Sequence, residues 1–260
     1  MKNLVHPKYL PVIATFSGLL GFLLRLWTMD GGPDIQGLYK ANPVAWFLIW
    51  VVSIVALGAI WLASSRLTEP GDYADNFPAS PFAAVGCGLA ALGIATTAVP
   101  LVMAGATWLE TVAGVVGLVA AVAMVLVAWA RWNGKVPNFL FHFSVCLYFA
   151  LRIFDRCKAW SNEPQLAVFL FPFLACVCVM LAAYQLSCFD VNLPKRKACL
   201  FWSLSGVYFS IVAMAGSEEL LFHGCMAIWL MTHLCSLKPM KKKEDTPSAE
   251  EGIDPPPVCE

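Results

Sequence analysis

The chain predicts an all-α, polytopic membrane protein, a single bundle of eight transmembrane helices. Three observations lead there. Of its 260 residues, 59% are hydrophobic and only 13% charged, where a soluble domain is nearer a quarter charged. Mean hydropathy is +0.70, more apolar surface than a water-exposed fold can hide. The apolar residues also fall into blocks of about 17–25 residues, the length that crosses a hydrocarbon core of ~30 Å.

In order, the blocks are Leu10–Trp27, Val44–Ala63, Phe82–Val102, Trp108–Ala130, Val136–Phe154, Leu166–Cys188, Ala198–Met214 and Leu220–Leu237. The first contains Pro11 and no small-residue cleavage site before Arg25, so it reads as a retained span and not a signal peptide. Asn42-Pro43, Ser80-Pro81 and Glu163-Pro164 place proline at helix starts, where its missing N–H is harmless. The third and fourth blocks carry small residues at helical spacing: Ala84-xxx-Gly88, Gly86-xxx-Ala90 and Ala113-xxx-Gly117-xxx-Ala121. Such faces let backbones approach closely in lipid, and the short uncharged link Ala104–Thr107 predicts a tight hairpin at the centre of the bundle. The seventh block is the shortest, and its edges are the least sharply marked. No repeat relates the first four blocks to the last four.

Residues 1–237 thus form the transmembrane domain. Residues 238–260, with Lys241–Lys243, Glu250, Glu251 and Pro255–Pro257, have no core-forming face and predict a disordered cytoplasmic tail. Lysine and arginine set the orientation. One side collects Lys2, Lys8, Arg66, Arg131, Lys135, Lys195, Arg196, Lys197, Lys238 and Lys241–Lys243; the other holds Lys40, Arg152, Arg156 and Lys158. Both termini are therefore expected in the cytoplasm of a cell whose plasma membrane holds the protein.

Several function classes drop out. Net charge is zero, so no nucleic-acid surface is expected. There is no GxxxxGK[ST] loop and no Gly-rich dinucleotide turn, so no nucleotide cofactor is expected. Most of the ten cysteines lie inside apolar blocks and act as small hydrophobes. Cys176-x-Cys178 points to opposite sides of a helix, so no metal site is expected from it. His142, inside the fifth block, reads as a neutral histidine bonded to a neighbouring helix, with a proton relay as the alternative.

Ionisable groups in or beside a span are functional candidates by default. On the outer side they are Arg25, Glu110, Arg152, Asp155, Arg156, Glu218, Glu219 and His223. Arg152-xxx-Arg156 puts two guanidinium groups on one helix face, suited to an anionic group. The plainer explanation is that the arginines snorkel to headgroups and the acids favour helix N-termini, with Ser217 as an N-cap. The expected function is binding or transport of a small polar or anionic solute through an outward-facing charged pocket. The lipid bilayer is the expected partner, and catalysis is not expected.

Two alternatives stand beside it. Glu218-Glu219-Leu220-Leu221-Phe222-His223 resembles the first motif, EExxxR, of the CAAX-type intramembrane proteases, with histidine where that family has arginine. The resemblance, over about eight residues, implies glutamates and histidines from later helices activating a water for peptide hydrolysis. His233 lies about 21 Å from Glu219 along the same predicted helix, at 1.5 Å per residue, too far to join that site. The other alternative is an accessory subunit packed against a membrane-protein partner through a small-residue face.

Overall fold

The computed structural model describes residues 10–30, 42–65, 73–160, 166–193, 195–217 and 219–238. The tail beyond Lys238, Glu218, Lys40, Arg66 and Glu163-Pro164 lie outside the described residues. Among the described residues every regular element is helical: α1 (Leu10–Met29), α2 (Pro43–Ser65), the one-turn α3 (Tyr73–Asn76), α4 (Pro81–Ala104), α5 (Trp108–Trp132), α6 (Phe139–Trp160), α7 (Leu166–Asp190), α8 (Arg196–Ala213) and α9 (Leu220–Cys235).

Five helices, α1, α2, α4, α5 and α7, are long and apolar enough to cross a membrane. Their outward faces present Phe16, Phe47, Ile54, Val55, Val85 and Val122, all exposed. An aqueous surface would not tolerate such continuous apolar cover, and lipid would. Exposed Trp108, Trp129 and Trp132 stand at the two ends of α5, the depth at which aromatic belts sit.

The other three long helices miss that criterion for separate reasons. The end of α6 carries Arg152, Asp155, Arg156 and Lys158. α8 begins on Arg196 and Lys197 and continues through Ser203, Ser205 and Ser210. α9 has only 16 residues. The sequence expectation of eight equivalent spans thus narrows to five that qualify on length and apolarity.

Local chemistry sets several starts as expected. Asn42 Oδ1 accepts from Val44 N at 3.1 Å ahead of α2. Ser80 caps α4, its Oγ accepting from Ala83 N at 3.2 Å with Pro81 at the first position. α9 departs from expectation: its N-cap is Glu219, and Ser217 Oγ accepts from Glu219 N at 3.1 Å. Gly216 takes a positive φ of 67° there, and the turn shifts the start of the helix by two residues.

Packing follows a cyclic order. α4 packs on α5, α5 on α6, α6 on α7, α7 on α8, α8 on α9, and α9 back on α4. α1 and α2 pack on each other and dock against α8. α8 therefore has protein on every side, and residues 203–213 are buried without a break. The least sharply bounded block of the sequence is the central helix. The α4–α5 hairpin is tight but not central, because Val85, Leu92, Val115 and Val119 face outward from it.

Close approach explains the small residues. A Cβ at Gly114 would meet Val102 N at 2.9 Å, so α4 and α5 touch backbone to backbone. A Cβ at Gly86 would sit 1.9 Å from Thr232 Oγ1, so α4 and α9 are equally intimate. Gly88, expected on the same face as Ala84, instead meets open space.

Candidate functional site

The charges expected on the outer side meet at one end of the ring. α6 delivers Arg152 and Arg156, one turn apart, and α9 begins there with Glu219. Arg152 Nη2 donates to Glu219 Oε2 and Arg156 Nη2 donates to Glu219 Oε1. One carboxylate thus bridges two guanidinium groups, each oxygen taking one charge-assisted bond. Burial alone would raise the Glu219 carboxyl, but Arg152 and Arg156 outweigh it and hold the group below the ordinary carboxylate range.

The two arginines differ in setting. Arg152 is 3% exposed and Arg156 38% exposed. Arg152 lies over the Phe222 ring at 4.5 Å, and its Nη1 donates to the Tyr148 hydroxyl at 3.2 Å. Tyr148 and the Thr97 hydroxyl on α4 are 2.7 Å apart, and Thr97 Oγ1 donates to Ile94 O at 3.0 Å. The chain of contacts from guanidinium to phenol to threonine anchors Arg152 to α4.

Other candidates sit at the margin. Arg25, buried on α1, lies over the Phe171 ring at 5.2 Å. His223, one turn into α9, is buried within electrostatic reach of Glu219, Arg152, Arg25 and Arg156. Asp155 feels Glu110, Arg156, Arg152 and Lys158. Glu110 serves the α4–α5 turn, its Oε2 accepting from Ala106 N at 2.6 Å. Tyr148 and Thr97 were not singled out in the sequence, although Tyr148 lies four residues before Arg152 on the same face of α6.

A second polar cluster occupies the opposite ends of the same helices. His142, near the start of α6, holds Asp190, the last residue of α7, through Nδ1 and Oδ2 at 2.6 Å. Both side chains are shut away, at 1% and 0% exposure. The expectation of a histidine bonded to a neighbouring helix is met, with a carboxylate as the partner. His142 stacks on the Trp229 ring, centroids 6.5 Å apart, and meets His233 edge-on at 6.2 Å. Cys87 Sγ lies 3.9 Å from His233 Nδ1.

The short α3 covers this cluster. Arg131 of α5, 1% exposed, donates to the Tyr73 hydroxyl at 3.3 Å and to Ser236 Oγ at 2.6 Å. Its guanidinium also lies over the Phe77 ring at 4.9 Å. Phe77 packs on His233 and Phe189, and Lys238 N donates to Asn76 O at 3.1 Å. Burial pushes the Tyr73 phenol up to about 12, against the opposing pull of Arg131, so it stays a neutral partner. Arg131 had been read only as a marker of orientation.

Among the described residues no group of three His, Cys, Asp or Glu side chains is placed to hold a metal ion. Glu219 is engaged by arginines of α6, and the α6 histidine is bonded to Asp190 at the far end. Among the described residues no histidine of another helix stands beside Glu219, which the protease-like reading requires. Comparison with protein-family models, curated proteins and solved structures found no match.

Proposed function

We propose that the chain is an eight-span integral membrane protein of the cell membrane. In this reading it binds a small oxyanion, a carboxylate or a phosphate, at its outer end and moves it through the ring, between the facing helices α6 and α9. Helices α6, α8 and α9 complete the eight spans. Arg152 and His142 of α6, Ser203, Ser205 and Ser210 of α8 and His223 and His233 of α9 are buried within the bundle, so lipid does not bear their cost. Both termini would lie in the cytoplasm, following the lysine and arginine bias of the loops.

One observation carries the solute reading: Arg152 and Arg156 converge on the single carboxylate of Glu219. A carboxylate held by two guanidinium groups is a template for an oxyanion ligand. Here Glu219 acts as the resident counter-ion, and an incoming anion competes for the same donors.

The test is calorimetric titration of the detergent-solubilised protein with inorganic phosphate and, separately, acetate. Wild type should bind at least one of them, Glu219→Gln more tightly, and Arg152→Gln not at all. Failure of Glu219→Gln to bind either anion would sink the reading. Reporter fusions at Met1 and Glu260 check the topology, and reporters on opposite faces would overturn the even number of spans.

A further inference from the structure

Beyond the anion site lies the cluster at the other end of the ring, which nothing in the outer site uses. A buried histidine kept for stability would have both ring nitrogens satisfied. Only Nδ1 of His142 is. His142 Nε2, Asp190 Oδ1 and Arg131 Nε are all buried with no hydrogen-bond partner within the protein. Each such atom is a cost to the fold, and apolar replacement of a buried ion pair is often neutral or stabilising. Stability therefore does not explain the cluster, and an ionisable pair at this depth points to use.

Tautomer chemistry narrows the use. Where Asp190 is ionised it accepts from Nδ1–H of His142, and the Nε2 lone pair is then buried without a donor. That is the arrangement of an oriented base. From the geometry we infer that His142 Nε2 is a proton-binding site.

The step balances simply. A proton from water enters at Nε2, Nδ1–H stays bonded to Asp190, and neutral imidazole beside carboxylate becomes imidazolium beside carboxylate. Around the pair, His233 of α9 meets the His142 ring edge-on with Cys87 of α4 beside it, and Tyr73 of α3, bonded to Arg131 of α5, lies within electrostatic reach of Asp190. Arg196 and Cys199 of α8 lie within reach of Asp190's side. Cys146, one turn along α6, faces Cys188 of α7. Among the described residues Asp190 is the carboxylate that meets the ring, so it is the group that stabilises the added charge.

The experiment uses the full chain, labelled with ¹⁵N-histidine, in lipid nanodiscs and titrated from about pH 9 to about pH 4, the span of the histidine and carboxylate ranges. One signal set, absent from His142→Gln, should carry its proton on Nδ1 at the alkaline end and gain a second on Nε2 as pH falls. Asp190→Asn should abolish the fixed tautomer. A His142 ring with Nε2 unchanged to the acid limit, or protonated on Nε2 at the alkaline end, overturns the site. If His142→Gln does not fold, the Asp190→Asn tautomer supplies the assignment.

Discussion

Replacing Glu219 by glutamine keeps the shape of the side chain and removes the one charge that two guanidinium groups share. The size of the effect depends on which arginine is left behind. Removing one partner of a buried pair costs about 3–5 kcal/mol, whereas an exposed pair is worth about 0–1 kcal/mol. Arg152 is 3% exposed and falls under the first rule, while Arg156 is 38% exposed and falls under the second. Glu219 is 26% exposed, and a glutamine oxygen still accepts one bond. Glu219→Gln and Arg152→Gln should therefore each cost about 2–3 kcal/mol, and Arg156→Gln less than about 1 kcal/mol. For a chain of this length, about 2–4 °C per kcal/mol makes that roughly 4–12 °C against at most roughly 4 °C. Thermal unfolding in detergent at neutral pH, followed by tryptophan fluorescence, reads the difference. If Arg156→Gln lowers the transition as far as Arg152→Gln does, burial is not what distinguishes the two and the reasoning fails.

Three further outcomes follow from the same geometry. Because Glu219 is held below its ordinary value, its contribution is complete above the unfolded value of about 4.3 and disappears as pH falls through the lower folded one. The gap in Tm between wild type and Glu219→Gln should then hold steady from neutral pH to about 5 and close below about 4; a gap that widens on acidification contradicts the assignment. Gly86→Ala should cost about 1–3 kcal/mol by overpacking, and Thr232→Ala should recover part of it, since the added Cβ would lie 1.9 Å from Thr232 Oγ1; additive losses in the double variant would argue against this contact. Arg131→Gln should loosen α3 and expose Cys87, now 0% exposed, to a maleimide in a variant retaining only that cysteine; unchanged labelling would show that Arg131 does not fasten the cover.

The helices were legible because lipid enforces long apolar runs, and Asn42, Ser80 and the prolines after them marked starts that the structure keeps. Membership of the outer site was partly legible. Charges at span ends on one side of the predicted topology included Arg152, Arg156 and Glu219, but spacing along a chain cannot say that two arginines of α6 share one carboxylate of α9. It also could not separate these from Glu110, which serves its own turn. The seventh block matches α8 to within two residues, but its central place in the bundle was not legible. A helix enclosed by others does not need an apolar exterior, so Ser203, Ser205, Gly206 and Ser210 weakened the very signal that marks a span. His142 with Asp190 was the least visible pairing. The two are 48 positions apart, and the aspartate stands at the edge of a block, where an acid attracts no notice.

The docking of α1 and α2 has a consequence for biogenesis. Apart from each other, their main neighbour is α8, which leaves the ribosome long after them. At roughly 5–20 residues per second, the first hairpin waits on the order of 10 s in the bilayer, with its docking face not yet covered by α8, before Arg196 is even synthesised. An insertion chaperone that shields polar intramembrane groups would act in that interval. A split gene should work as well as the intact one, provided the 1–65 fragment is made no later than the remainder.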